Sequence, residues 1–422
     1  MVQLTDDCFA FEGGLIPVEV ALERVRARLA PVTGIETQPL DAVLGRILGT
    51  DVVSGLDVPP HDNSAVDGWA VYLDDLDRDG ETRLPIGGRV AAGQHLDRPQ
   101  RRGETIRIFT GAPMPTGEGT GPDTVFMQED CRVDGDVVVF PPGIRRGANR
   151  RFAGEDVKAG TTILRSGRRL GPPEIGLAAS IGHTTLPVRT ALRVAVFSTG
   201  DEVREPGTDR VAGTIYDSNR YTLKALLRGL GCAVTDLGIL ADHGETIRAA
   251  LAAAADSHDA IITSGGVSTG EEDHVRAAVE AEGQLDAWRL AIKPGRPVAL
   301  GVVRGTAFLG LPGNPVAVVV TFLHLARPIL LALAGADVPT PPRYPVQAGF
   351  AYKKKAGRRE YVRVRIDPVA GGLPIARRAG NEGAGILSSL VAADGLVELT
   401  DDALGLSEGD TAAYLPFSEV MR

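Results

Sequence analysis

The chain has 422 residues, enough for about three domains of ~150 residues each. With 45 Lys and Arg against 54 Asp and Glu, a formal charge of −9 argues against a nucleic-acid binder, though not against a local basic pocket for a small anion. Hydrophobic residues make up 43%, ordinary for a soluble globular protein, and Cys8, Cys131 and Cys232 lack metal or redox spacing, which fits a reducing cytosol.

No basic stretch followed by an apolar run opens the chain, so a cytoplasmic protein without an export signal is expected. Pro17 predicts a helix start, with Val18, Leu22, Val25 and Leu29 on one apolar stripe. From about Thr50 to Pro142, short alternating runs (Gly68–Leu73, Thr105–Phe109, Thr124–Gln128, Val137–Phe140) sit between Gly- and Pro-rich turns and predict a small β domain. Arg145 to Gly182 is mixed and is expected to return the chain to the region it left before Thr50. The β domain would then be an insertion.

From Leu192 strands and helices alternate. Strands are predicted at Val194–Phe197, Ala233–Ile239, Ala260–Ile262, Ala287–Ile292, Pro297–Val302 and Ala307–Leu311. Helices are predicted at Tyr221–Leu230, Thr246–Ala255, Val275–Ala281 and after Asn314. That rhythm implies a largely parallel sheet whose ligands sit beyond the carboxyl ends of its strands. The apolar segment Val316–Leu333 is interrupted by His324, Arg327 and Pro328, so it reads as a buried helix and not a membrane span. After a Pro-rich link, Tyr361–Ile366, Val397–Leu399 and Thr411–Leu415 read as parts of a small barrel. The stretch Arg343–Arg378 carries ten Lys and Arg against Glu360 and Asp367. A solvated charged face and an anion funnel both remain open for it.

Three segments converge on one rim of the predicted sheet: Ser198-Thr-Gly-Asp-Glu202, Thr263-Ser264-Gly265-Gly266 running through Ser268 and Gly270 to Asp273, and Leu311-Pro312-Gly313-Asn314-Pro315. Strand, glycine loop and helix start together expose backbone N–H groups to an anion. The acids Glu271, Glu272 and Asp273 would repel that anion unless a divalent cation bridges them. A tight turn with a solvated acidic helix end is the alternative. Asp217-Ser218-Asn219 reads as a helix cap that also suits a phosphate. Lys293-Pro-Gly-Arg296 sets two cations on a rigid turn. Gly154-Glu155-Asp156 beside Arg145, Arg146, Arg150 and Arg151 reads as salt pairing. Gly266-Val-Ser268-Thr-Gly270 also fits a nucleophile elbow, with Asp286 and His324 following in hydrolase order, but that leaves the acidic trio and the basic turn without work.

Taken together, the chain resembles the MoeA family, the molybdenum-inserting enzymes of molybdenum cofactor synthesis, also found as the E domain of gephyrin. The resemblance is carried by Pro59-Pro-His-Asp-Asn-Ser-Ala-Val-Asp67-Gly, Thr110-Gly-Ala, Met127-Gln-Glu129, Gly154-Glu-Asp156, Ser198-Thr-Gly-Asp-Glu202, Tyr216-Asp-Ser-Asn219, Thr263-Ser-Gly-Gly-Val-Ser268, Lys293-Pro-Gly-Arg296 and Leu311-Pro-Gly-Asn-Pro-Val316. It implies a multidomain α/β fold. Residues 1–49 plus 143–190 would form an N-terminal helix and elongated linking region, 50–142 an inserted β-rich domain, 191–336 a central three-layer α/β (MogA-like) domain with a mostly parallel sheet, and 337–422 a C-terminal β-barrel domain.

It also implies a transferase in which molybdate attacks adenylylated molybdopterin and AMP leaves, with Mg²⁺ held by Asp273. Catalytic roles are expected for Asp67, Asp156, Glu202 and Asp273. Binding roles are expected for Thr110, Asp217, Ser218, Asn219, Thr263, Ser264, Gly265, Gly266, Ser268, Gly270, Lys293, Arg296, Pro312, Gly313, Asn314, Arg358 and Ser388. The implied assembly is a homodimer whose other partners are molybdenum cofactor synthesis proteins, with neither nucleic acid nor membrane. The alternatives are a molybdopterin adenylyltransferase and a non-catalytic gephyrin-like scaffold. The chain departs from the family at Arg296, where Lys is usual, at Ala317, where Ser is usual, and at Ala384-Gly385, where Ser-His is common. Each change bears on oxyanion affinity.

Overall fold

A computed structural model of the chain describes residues 14–209, 211–266 and 274–421, apart from the side chains of residues 287 and 288. It resolves into two compact units. One comprises the chain up to Thr50, Ser166–Gly171 and everything from Leu186 onward; the other comprises Asp51–Arg165 and Pro172–Thr185. At the crossing points Leu48 N–H donates to Arg168 O and Leu170 N–H to Arg46 O, so the returning strand re-enters beside the departing one.

The first unit is built on a seven-stranded sheet in the order Leu15–Ile16, Gly283–Leu290, Pro297–Val303, Thr306–Leu311, Ala260–Ser264, Arg193–Thr199, Ala233–Leu240. Four pairings are parallel and two antiparallel. Because strand side chains alternate, each central strand supplies two cores. Val194, Val196, Ile262 and Leu309 face the helices Val18–Arg26, Asn219–Gly229 and Pro315–Leu333. Ala195, Phe197, Ile261 and Phe308 face Gly244–Ser257 and His274–Glu282. The sheet is thus covered on both sides, as its near-continuous apolar strands require. The apolar helix Pro315–Leu333 is 89% buried over its most hydrophobic window, as expected of a core helix, and it is interrupted by a π-helical turn at Phe322–Ala326.

One strand differs from its sequence reading. Ala287–Ile292 was expected as a single strand, but Gly283–Leu290 stays in the sheet while Ile292–Lys293 leaves it. The switch is made by the turn that follows. Gly295 sits at φ +107, Leu290 N–H donates back to Arg296 O, and Ile292–Lys293 pairs in parallel with the barrel strand Arg359–Asp367. That barrel closes through Arg359–Asp367, Ile375–Arg378, Tyr344–Ala348, Thr411–Pro416 and Gly395–Leu399. It encloses Val346, Val362, Val364, Val397 and Tyr414.

The second unit carries a six-stranded sheet in the order Thr124–Met127, Gly68–Val71, Thr105–Ile108, Thr82–Val90, Val137–Phe140, Arg132–Asp134. Each face packs a small core, one around Trp69, Phe126 and Phe140, the other around Ile106, Ile108 and Val125.

Candidate active site

A cavity of about 530 Å³ opens in the first unit where the carboxyl ends of two sheet strands meet the barrel. Its sheet-side wall is Gly265, Gly266, Pro312, Gly313, Asn314 and Ala317; its barrel-side wall includes Tyr352, Tyr361, Val362, Arg363 and Arg378, with the loop 379–384. The turn Lys293–Gly295 forms the seam.

The sheet-side wall is mostly backbone and is braced from behind. Gly265 and Gly266 take φ of +93 and +64, and Gly265 N–H donates to Leu311 O at 3.0 Å. At Gly266 an added Cβ would lie 2.5 Å from Val275 Cγ2, so only glycine fits. Asn219 Nδ2 donates to Ser264 Oγ (2.8 Å) and Gly313 O (2.6 Å), and Ser264 Oγ donates to Pro312 O (3.1 Å). Three segments distant in sequence are thereby locked together. Among the described residues, Asn219 Oδ1 and Thr263 Oγ1 are buried without a hydrogen-bond partner.

On the barrel side the wall is charged. Lys293 Nζ donates to Tyr352 Oη and Glu360 Oε2, both at 3.1 Å, with half of the Lys293 side chain still exposed. Burial pulls the Lys293 ammonium down, but the bonds to Tyr352 and Glu360 outweigh it and leave it above its ordinary value. Glu360 shows the mirror image: burial pushes its carboxyl up, yet donation from Tyr352, Arg358 and Lys293 holds it below the usual range. Arg363 is 8% exposed and donates to Asn381 O at 3.3 Å; burial lowers its pKa. Arg378 pairs with Glu382. Lys293, Arg363 and Arg378 against Glu382 make this a cation-rich cavity, suited to an oxyanion.

Of the residues expected from sequence, Gly265, Gly266, Lys293, Pro312, Gly313 and Asn314 line the cavity, with Thr263 and Ser264 at a strand end and Asn219 at a helix start behind it. Others lie elsewhere. Asp217 is buried and gives its carboxylate to Arg220, accepting from both N–H and Nε, so it rather than Ser218 supplies the helix cap. Arg220 also pairs with Asp236 and Glu205. Arg296 is exposed and contributes its carbonyl to the turn. Arg358 does not line the cavity but pairs with Glu360 beneath it, at 2.8 Å. Ser388 is exposed at the start of the short helix Ser388–Val391, and Glu202 is exposed on the loop after Arg193–Thr199.

Asp67, Thr110 and Asp156 belong to the second unit. Thr110 donates its N–H and its hydroxyl to Asp67 Oδ1, both at 2.8 Å, and these bonds hold the Asp67 carboxyl below its ordinary value. Asp156 is exposed. Ser268, Gly270 and Asp273 lie outside the described residues. Among the described residues no group of three His, Cys, Asp or Glu is arranged to hold a metal. His324 of the hydrolase pattern is buried and stacked on Tyr361, with ring centroids 4.0 Å apart.

The basic stretch is mostly paired within the barrel. Arg343 and Arg359 share Glu398, Arg377 takes Asp367, and the buried Lys354 donates to Thr400 O and Ala403 O. What sequence reasoning missed is that Tyr352, Arg363 and Arg378 face the cavity and Glu360 lies beneath it. One signal was present: Glu360 is the only acid between Lys353 and Arg365. Two departures from the family pattern, Ala317 and Ala384, also line this cavity, one on each wall.

Comparison with known proteins covers nearly the whole chain. Residues 16–182 match the MoeA N-terminal region (domain I and II), 195–332 a probable molybdopterin binding domain, and 345–417 the MoeA C-terminal region (domain IV). The chain is 36% identical to a molybdopterin molybdenumtransferase of Haemophilus influenzae over 96% of its own length and 100% of that protein's. It is 34% identical to molybdopterin molybdenumtransferase 2 of Mycobacterium tuberculosis, covering 92% and 96%. The crystal structure of a molybdopterin biosynthesis MoeA protein from Pyrococcus horikoshii superposes with a TM-score of 0.80 at 26% identity, over 95% of this chain and 100% of that one.

Proposed function

We propose, for a chain that belongs to the MoeA family, that the cavity between sheet and barrel is where molybdate meets adenylylated molybdopterin. The protein is a transferase of molybdenum cofactor biosynthesis that inserts molybdenum into molybdopterin. The observation that carries the siting is that Lys293 and the Gly265–Gly266 turn, 27 residues apart by number from Gly266 to Lys293, line one cavity together with Arg363 and Arg378.

In the proposed reaction molybdate attacks the adenylylated pterin, AMP departs and molybdenum remains on the dithiolene. Such chemistry needs charge gathered at the reacting oxygens more than it needs a covalent nucleophile. Lys293 would donate its remaining N–H to an oxyanion, and Arg363 and Arg378 would add positive potential from the barrel side. The glycine turn presents backbone to the cavity, and a side chain at Gly266 would strike Val275 and displace that turn. Mg²⁺ at Asp273 belongs to the same proposal, on the strength of the acidic run after the glycine loop; no step above depends on it. Cytoplasmic residence is likewise proposed from the sequence.

A homodimer is proposed from the family resemblance, which gives Asp67, Thr110 and Asp156 to a cleft shared between subunits. Mixing Asp67→Asn subunits with Lys293→Ala subunits should then restore about a quarter of wild-type turnover, since half the dimers carry one intact site of two. No recovery above either parent would count against a shared cleft.

The decisive assay is AMP release from adenylylated molybdopterin with and without molybdate. Molybdate-dependent release is expected. Accumulation of adenylylated pterin from molybdopterin and Mg-ATP would favour an adenylyltransferase instead, and neither activity would favour a scaffold.

A further inference from the structure

Glu360 is a carboxylate beneath a site that should bind anions, and its side chain is only 1% exposed. Such a group is costly to bury unless it is fully paired, and here it is. Oε2 accepts from Tyr352 Oη at 2.8 Å and from Lys293 Nζ at 3.1 Å, while Oε1 accepts from Arg358 Nε at 2.8 Å. Lys293, Tyr352 and Oε2 close a triangle, since Nζ also reaches the Tyr352 hydroxyl at 3.1 Å. The strand register enforces it: Lys293 lies directly opposite Glu360 in the parallel pairing of Ile292–Lys293 with Arg359–Asp367. An ammonium has three donors, and this arrangement takes two of them on the barrel side.

We infer that Glu360 is a positioning residue for the proposed reaction: it aims the Lys293 ammonium and tempers its charge, by sharing one carboxylate between Lys293 and Arg358. The inference rests on the reading of Lys293 as the group that presents the oxyanion. Without Glu360 the lysine would keep its length but lose its bearing, and the cavity would gain one unit of net positive charge. An anion would be held at least as tightly and placed less well. Among the described residues, the charged groups around Lys293 are Glu360 and Arg358 from the barrel strand and its approach, Arg296 from its own turn, and Arg363, Arg378 and Glu382 from the cavity wall, with Tyr352 as the titratable hydroxyl.

The test reads Lys293 directly, without any substrate. Full-length protein is acylated with acetic anhydride across the alkaline range and modification at Lys293 is followed by mass spectrometry. Loss of a buried counter-ion in Glu360→Gln should lower the Lys293 midpoint by about one unit, seen as roughly tenfold faster acylation below both midpoints. Arg358→Gln should do the reverse, slowing acylation several-fold, because it leaves the carboxylate to Lys293 and removes a like charge. An unchanged Lys293 profile in a folded Glu360→Gln protein overturns the inference. Should that variant fail to fold, an unchanged profile in Arg358→Gln overturns it equally.

In the reaction itself, Glu360→Gln should lose at least about tenfold in kcat with KM for molybdate unchanged or lower. A raised KM with intact kcat would contradict the aiming role. A wild-type protein that inserts no molybdenum would sink the functional reading, while the acylation profiles would still decide what Glu360 does to Lys293.

Discussion

The two walls of the cavity solve the same problem with different materials. The sheet-side wall is backbone, glycine and proline at strand ends, held by the Asn219–Ser264–Gly313 bracing. The barrel-side wall is long charged side chains, each answered by a partner: Lys293 by Glu360, Arg378 by Glu382, Arg363 by the Asn381 carbonyl. A backbone wall cannot be altered without altering the fold, whereas a charged wall can lose affinity and keep its shape. Shape is therefore assigned to the sheet and charge to the barrel, with Lys293 at the seam.

Breaking the seam should have the largest effect. Lys293→Ala should lower molybdenum insertion by roughly 10²-fold, as loss of a charge-stabilising donor typically does. Glu360 would keep Tyr352 and Arg358 but lose one of its partners, so the thermal midpoint should fall while the protein stays folded, and wild-type turnover in that variant would break the comparison.

The walls themselves should fail differently. In Gly266→Ala a Cβ must fit 2.5 Å from Val275 Cγ2 on a backbone at φ +64. It should cost about 2 kcal/mol in urea denaturation. Arg363→Met keeps the bulk and removes the charge. It should leave stability unchanged or higher, because a half-satisfied buried guanidinium is costly, while KM for molybdate rises about tenfold. If Arg363→Met proved as destabilising as Gly266→Ala, the division between shape and charge would not hold.

A smaller effect comes from His324, stacked on the cavity-lining Tyr361. Burial above all, then Arg343, Arg359 and Arg327, holds its imidazole down at about 3. In the unfolded chain it titrates near 6.5 and takes up a proton that the folded state refuses. Its contribution to stability is therefore complete above about pH 6.5 and is lost as pH falls toward 3. His324→Phe should flatten the decline of the thermal midpoint between about pH 7 and 5, above the range where carboxylates dominate. An unaltered slope would mean the histidine can charge in place. The smallest change should come from adding one hydroxyl to either wall. Ala317→Ser or Ala384→Ser should lower KM for molybdate about two- to fivefold, one ordinary hydrogen bond's worth.

The sheet-side wall was legible in the sequence because a strand-end rule applies to it. Once Ala260–Ile262 and Ala307–Leu311 read as strands, the residues after them had to share a rim. The barrel-side wall had no such rule. Val362 and Arg363 exchange faces with a one-residue slip, and that register depends on partners far along the chain. Nor could spacing reveal that Ile292–Lys293 leaves one sheet for another, which is what sets Lys293 opposite Glu360. Asp217 was legible as a helix-start residue, but its carboxylate answers the buried Arg220, whose demand for partners appears only when that helix is packed.

The most direct measurement of the central claim is the position of molybdenum itself. Crystals soaked in molybdate and measured at the molybdenum absorption edge should show one anomalous peak inside the cavity, within hydrogen-bonding reach of Lys293 Nζ and absent from Lys293→Ala crystals. A peak elsewhere on the protein, unaffected by that substitution, would contradict the account.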